Sequence, residues 1–320
     1  MKIIVLDGFT LNPGDLSWKS LAQVGDLKVY DRTINSTKEI IKAIGDAEII
    51  FTNKTLLMKE VLVHVPHVKY IGVLATGYNV VDIVTANKLN ITVTNIPSYG
   101  TNAVAQFVMG LLLEMCLQIG SHDRTVKNGD WVNAIDFCYW NSPMIELEGK
   151  TIGLIGFGKI GKATAKLAAA FGMQVLVYSR TMYPKFENDT LKFVDLNTLL
   201  LNSDIISLHC PLNSATKMLI NKESIQKMKT GVMLINSSRG GLIDEQDLKD
   251  ALDIGKVAMA AVDVVSIEPM IKSNPLMKAK NCIITPHIAW ATKEARQRLL
   301  DTAVQNLKFY LSGKSRNVVC

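Results

Sequence analysis

The sequence has no run of five or more basic residues, no CxxC pair, no low-complexity tract and no fixed-period repeat. Each absence removes a class of function. Without a basic block, the formal net charge of +6, from 35 basic and 29 acidic residues, is a mild bias toward anionic ligands and not the footprint of a nucleic-acid binder. The five cysteines, Cys116, Cys138, Cys210, Cys282 and Cys320, are odd in number and widely scattered. They offer neither a metal-ligand spacing nor a disulfide framework, so a reducing compartment, the cytoplasm, is expected. Long apolar runs are also missing. The longest, "VAQFVMGLLLEMCLQI", is interrupted by Gln106, Glu114 and Gln118 and is short for a membrane span. A helix apolar nearly all round is expected to be buried, between domains or between subunits. The opening "MKIIVLDGF" reads as a buried strand, because a signal peptide needs a longer apolar stretch and a cleavage site. No membrane partner is expected.

What is present is enough chain for two domains: 320 residues on the usual size prior. Hydrophobic residues at 48% and charged residues at 20% suit a globular protein with a large core. Strand-like runs at "KIIVLD", "AEIIFTN", "VKYIGVLATGYN" and "ITVTNIP" alternate with helical patterns such as "TKEIIKAIGD". Short apolar strands separated by helices imply parallel pairing with crossover helices, here a flavodoxin-like unit. A buried helix is expected from about Thr101 to Gly120. The aromatic stretch "NGDWVNAIDFCYWNSPMIELEG" follows it, and reads equally as packing against a partner subunit or as a lid on the core.

After Gly149 the alternation restarts, with strands at "KTIGLIG", "MQVLVYSR", "DIISLHC", "VMLINSS", "MAAVDVV" and "CIITPH". The fold class expected is therefore α/β, with two doubly wound parallel-sheet domains. The final "TKEARQRLLDTAVQNLKFYLSG" reads as an amphipathic helix.

Five strand ends carry chemistry. "LIGFGKIG" places Gly156, Gly158 and Gly161 between a strand and a helix, the context in which a GxGxxG pattern holds a dinucleotide. Gly156 allows the tight turn, Gly158 lets the backbone approach a pyrophosphate and Gly161 lets helix and strand pack closely. The helix amino terminus then meets the phosphate charge. The next strand ends in Ser179 and Arg180, where an NAD-specific fold carries an acid for the ribose 2′-hydroxyl. Serine and arginine suit a 2′-phosphate instead, so NADP(H) is the preferred cofactor and NAD(H) the second choice. Arg239, in "NSSRGGLIDEQDL", lies just beyond an apolar strand, where side chains of an open α/β sheet face the ligand crevice. Glu268 in "AAVDVVSIEPM" and His287 in "CIITPHIAW" repeat that placement.

The ordered set of the glycine fingerprint, "NSSRGGLIDEQDL", "DV…EP" and "TPHIAW" resembles the D-isomer-specific 2-hydroxyacid dehydrogenases across essentially the whole chain. "GVLATGYNVVD", "DFCYWNSPMIEL" and Trp290 look most like the glycerate dehydrogenase and hydroxypyruvate reductase branch. The resemblance implies a flavodoxin-like substrate-binding domain at residues 1–99 and 289–320. It implies an inserted NAD(P)-binding Rossmann domain at 100–288, with the active site in the cleft between the domains. It makes His287 the general acid/base, Glu268 the residue that holds its ring, and Arg239 the ligand of the 2-oxo oxygen and carboxylate. By the same matching, the amides of the turn Leu74, Ala75, Thr76 and Gly77 take the substrate carboxylate, and Thr76 also touches the cofactor. Lys159 and Ile160 lie on the pyrophosphate, Cys210 and Pro211 border the adenosine, and Ser237 and Ser238 border the nicotinamide ribose. Asp263 faces the nicotinamide amide, and Ala289 joins the cofactor set beside His287 and Arg239. No metal is implied, and a homodimer is the family habit. The activity implied is reduction of a small 2-oxoacid of the hydroxypyruvate or glyoxylate kind to the D-2-hydroxyacid, and its reverse. A D-lactate or branched-chain type reductase, or a non-enzymatic dinucleotide sensor, are the alternatives.

Overall fold

The computed structural model describes residues 1–320 and divides them into two compact units. One is Met1–Gly100 together with Trp290–Cys320, and the other is Thr101–Ala289.

The first unit is a five-stranded sheet of β1 (Lys2–Val5), β2 (Asp26–Val29), β3 (Ile49–Thr52), β4 (Tyr70–Val73) and β5 (Thr92–Thr94), in the order β2-β1-β3-β4-β5. All its strands pair in parallel, in the flavodoxin-like order. β3 and β4 are buried along their whole length, which is why they read as continuous apolar runs without alternation. The helix Thr37–Ile44 starts where the Ser36 hydroxyl accepts from the Glu39 amide and stops at Gly45, whose φ is 56°, a conformation that favours glycine. The helix Lys293–Leu311 returns to this unit and buries Leu299, Leu300, Ala303 and Leu307 in the same core as Ile3, Val5 and Phe51.

The second unit is a seven-stranded parallel sheet of β6 (Thr151–Ile155), β7 (Gln174–Tyr178), β8 (Leu191–Phe193), β9 (Ile205–Leu208), β10 (Val232–Asn236), β11 (Val257–Val262) and β12 (Cys282–Ile284). Its order is β12-β11-β10-β9-β6-β7-β8, so the direction of winding reverses between β6 and β9. In an open α/β sheet, ligands bind outside the carboxyl ends of the strands at such a reversal. The helix expected over about 101–120 is two helices, Thr101–Leu117 and Ile119–Lys127, because Gln118 between them takes a left-handed φ of 47°. The first is buried at nine positions and packs on the helix Lys159–Ala170. No single helix is long and apolar enough to cross a membrane.

Candidate active site

One row of residues runs across the second sheet. Tyr178 pairs with Ile155, Ile155 with Leu208, Leu208 with Asn236, Asn236 with Val262 and Val262 with Ile284. The chemistry-bearing residues of that unit stand just past this line. In strand order they are Ser179 and Arg180, Gly156, Cys210, Ser237 to Arg239, Asp263 and His287. A parallel register therefore converts scattered sequence motifs into one edge.

At the centre of the edge, Gly156 has φ 106°, and a Cβ there would lie 2.6 Å from the His209 carbonyl carbon and 2.7 Å from the Cys210 amide. A Cβ on Gly161 would sit 2.3 Å from the Gly156 oxygen. These two positions admit only glycine. At Gly158 a Cβ would meet nothing within 4 Å, so the backbone there borders open space. Gly158 also caps the helix Lys159–Ala170 and has no side chain to take its first-turn amides. A pyrophosphate fits this cradle, with its charge toward the helix amino terminus. Beside it, the Ser237 hydroxyl is buried with no hydrogen-bond partner, and a ribose hydroxyl is a suitable one. Cys210 is half-buried and burial raises its thiol pKa, so it serves as an apolar wall and not as a nucleophile.

His209, which belongs to no motif, underlies this turn. Its amide donates to the Ile155 carbonyl at 2.7 Å. Its ring Nε2 is 3.0 Å from the Ser207 hydroxyl, while Nδ1 is buried without a partner. The residue is partly accessible but its Nδ1 is buried, and burial pushes the ring's pKa down to about 4. The imidazole is neutral and structural.

The loop after β7 holds a second feature absent from the sequence reading. Phe157, Tyr183, Phe186 and Phe193 form edge-on and tilted ring pairs. The Lys162 ammonium lies 4.2 Å from the Tyr183 ring centre and 4.6 Å from that of Phe186, a geometry in which a ring quadrupole attracts a cation. This cluster anchors the segment that begins with Ser179 and the exposed Arg180. The sequence signal was the spacing of aromatics around the turn, with Phe157 hidden inside the fingerprint.

At the other end of the edge, His287 and Glu268 meet: Nδ1 of the ring is 2.7 Å from Glu268 Oε2. The second carboxylate oxygen accepts from the Val265 amide at 3.3 Å. Glu245 steadies the same loop by accepting from the Ser266 amide and hydroxyl, both at 2.7 Å, and from Asn274 Nδ2 at 2.9 Å. His287 has φ 55°, an uncommon backbone for a non-glycine residue. It is held there by Asp263, which is 1% exposed. The Asp263 carbonyl accepts from the His287 amide at 2.8 Å. Its carboxylate accepts from the Thr285 hydroxyl at 2.7 Å and from the amides of Ile288 and Ala289, each at 2.8 Å. The expectation for Asp263 was a contact with the nicotinamide amide; its carboxylate is engaged with the histidine loop, and Ala289 is part of that hold.

Arg239 follows β10 in extended backbone and is exposed, its Nη1 donating to the Ser238 carbonyl at 2.7 Å. Asn236 shapes the turn, donating to the Arg239 carbonyl at 2.9 Å and accepting from the Ser238 amide at 3.0 Å. The Ser238 hydroxyl donates to Leu208 O at 2.9 Å. Gly240 closes the turn against β11's exit, where a Cβ would lie 1.9 Å from the Val265 carbonyl carbon.

The first unit, taken by itself, holds a different feature. The carbonyls of Leu74, Ala75 and Thr76 are each taken, by Asn53 Nδ2 at 2.7 Å, the Ile96 amide at 3.0 Å and Asn95 Nδ2 at 2.8 Å. The Thr76 hydroxyl donates to Ile96 O at 2.9 Å. The Leu74 amide, expected to belong to this set, instead continues the strand pairing by donating to the Thr52 carbonyl at 2.8 Å, whereas the amides of Ala75, Thr76 and Gly77 donate to no protein acceptor. Consecutive backbone N–H groups left open in a glycine turn make an anion site.

Comparisons with known proteins identify the family. Residues 109–289 match the model of the NAD-binding domain of D-isomer-specific 2-hydroxyacid dehydrogenases. A hydroxypyruvate reductase of Blautia hydrogenotrophica is 54% identical over 320 residues, covering 100% of this chain and 99% of the relative. A glycerate dehydrogenase of Methylorubrum extorquens is 40% identical, covering 99% and 98%. The solved D-lactate dehydrogenase of Escherichia coli superposes with a TM-score of 0.87 at 29% identity, over the full length of both chains. With a reversal-point glycine cradle in the domain that the family model matches, and full-length relatives well above the level at which family is in question, the chain is an oxidoreductase belonging to the D-isomer-specific 2-hydroxyacid dehydrogenases.

Proposed function

We propose that the protein reduces a small 2-oxoacid of the hydroxypyruvate or glyoxylate kind to the D-2-hydroxyacid, and catalyses the reverse oxidation. The observation that carries this is the 2.7 Å pair of His287 and Glu268, on the same sheet edge as Arg239 and the glycine cradle. The reduced nicotinamide supplies a hydride equivalent when bound. Every other role falls to side chains and amides of this chain. Glu268 accepts from Nδ1 and so makes Nε2 the nitrogen that carries the proton. His287 gives that proton to the carbonyl oxygen as the carbon is reduced, and takes it back in the oxidation. Arg239 binds the 2-oxo oxygen and the carboxylate, and its charge opposes the negative charge that grows on oxygen. The amides of Ala75, Thr76 and Gly77 receive the substrate carboxylate.

Gly156, Gly158, Lys159, Ile160 and Gly161 would hold the pyrophosphate, Ser237 and Ser238 the nicotinamide ribose, and Cys210 and Pro211 the adenosine side. NADP(H) is the preferred dinucleotide. Ser179 and Arg180 stand where the adenosine ribose would lie, and neither is an acid to accept from a 2′-hydroxyl. The protein works in the cytoplasm, a reading supported by its five free thiols.

A homodimer is part of the same proposal. Phe137 is 89% exposed and Trp140 65%, and Trp131, Val132 and Ile135 are exposed beside them. A cluster of that kind on one short segment marks a protein interface, and a second copy of the chain is its occupant. Purified protein should oxidise NADPH in the presence of hydroxypyruvate faster than it oxidises NADH. Silence with hydroxypyruvate, glyoxylate and pyruvate alike would remove the reading. Light scattering at micromolar concentration should give twice the 35.2 kDa of the chain, and a monomer would remove the dimer.

A further inference from the structure

A substrate site made of backbone amides depends on how the backbone is held. In the first unit the holding begins at Asp7, two residues past the end of β1. Its carboxylate accepts from three consecutive amides: Asn53 at 2.7 Å, Lys54 at 2.5 Å and Thr55 at 2.8 Å. These follow β3 directly. Thr52 adds a hydroxyl bond to the Thr55 carbonyl at 2.9 Å, so the turn after β3 is fixed from both sides. Asn53 is 5% exposed. Its main chain is bonded to Asp7 and its side chain reaches the neighbouring strand's exit, donating to Leu74 O at 2.7 Å. β3 and β4 are adjacent and in register, Thr52 opposite Val73, so Asn53 and Leu74 are the first residues beyond the sheet on each strand.

We infer that Asp7 and Asn53 are positioning residues for the substrate carboxylate: Asp7 fixes the turn that carries Asn53, and Asn53 fixes the Leu74 peptide so that the amides after it face the anion. This rests on the carboxylate reading of residues 74–77 proposed above. The physical reason is directional. Leu74 C=O and Ala75 N–H belong to one planar peptide and point in opposite directions. A donor that captures the carbonyl therefore aims the amide the other way. Asn95 does the same for the peptide joining Thr76 to Gly77, through its 2.8 Å bond to Thr76 O. Asn53 is the better anchored of the two, because it is buried and Asn95's bond is exposed. Without Asn53, the Leu74 peptide is free to turn its carbonyl toward the anion, which weakens binding in ground and transition states alike. Such a loss raises KM and spares kcat.

The test is steady-state kinetics of full-length Asn53→Leu and Asp7→Asn with hydroxypyruvate, alongside inhibition by oxamate, NADPH binding by fluorescence, and thermal melting. Leucine keeps asparagine's branched side-chain skeleton and donates nothing. The expected result for N53L is a KM for hydroxypyruvate and an inhibition constant for oxamate each raised about tenfold, with kcat within about twofold and NADPH affinity unchanged; tenfold corresponds to about 1.4 kcal/mol. D7N should show the same selective rise at smaller size, about threefold. A lowered melting temperature with unchanged KM and oxamate inhibition would make Asn53 merely structural and overturn the inference. If N53L does not fold, D7N decides by the same two readings. Silence of the wild-type enzyme with every 2-oxoacid would instead bring down the carboxylate reading, and this inference with it.

Discussion

The two units use the carboxyl ends of their parallel strands in different ways. In the second, the edge presents side chains: Arg239, Glu268 and His287, with Asp263 buried behind the histidine. In the first, it presents main chain: three amides left open because their neighbouring carbonyls are occupied. A side chain can be placed by one strand end and tuned by one partner. A backbone site needs its whole loop braced, so its essential residues do not touch the ligand. The fold is shared, and the difference lies in whether chemistry resides in residue identity or in peptide orientation.

The largest expected effect lies on the side-chain edge. His287→Ala removes the proposed proton carrier and should lower kcat by about two to four orders of magnitude while leaving NADPH affinity within about twofold, measured by stopped-flow turnover and fluorescence titration. Asp263→Ala comes next. It leaves the Thr285 hydroxyl and the amides of Ile288 and Ala289 without an acceptor, and should destabilise the protein by about 3 kcal/mol in urea unfolding. It should also lower kcat, because the histidine loop loses its hold. No braced backbone loop in the first unit should show that combination.

Arg180→Ala should weaken NADPH by about 10- to 100-fold, the worth of a charged hydrogen bond, and NADH hardly at all. Equal losses for both would place Arg180 outside the cofactor site. The last effect, absent at neutral pH, concerns His209. Its folded pKa, about 4, lies below the value near 6.5 of an unfolded chain. Above pH 6.5 both states are neutral at this residue and it has no effect. Between pH 6.5 and 4 the unfolded state takes up a proton that the native ring refuses, so stability falls by at most about 1.4 kcal/mol per pH unit. His209→Gln should flatten the urea midpoint across that window relative to wild type.

Much of this architecture was legible in the sequence, and the exceptions have physical causes. Central strands such as β3, β9 and β10 are buried on both faces, so their apolar runs stand out. β2 and β8 went unread: they are edge strands of four and three residues with alternating burial, too short and too polar to differ from loop. The break at Gln118 was hidden because apolarity continues through it, and only its φ of 47° ends the helix. The positions of Gly156, Arg239 and His287 just past their strands were legible in the sequence, because each follows an apolar run that the structure makes a strand. Asp7, Asn53 and Asn95 were not, since a residue that acts by holding a peptide has no motif until the register is known. The second role of Asp263 was missed for the same reason.

The most direct measurement is a parallel progress curve of NADPH oxidation by wild-type and His287→Ala protein with hydroxypyruvate, at matched and verified NADPH occupancy. The account predicts turnover by the wild type and at least a hundredfold loss in the variant. Wild-type-like turnover by His287→Ala would contradict the placement of the proton at that ring, and with it the assignment of the sheet edge as the reacting site.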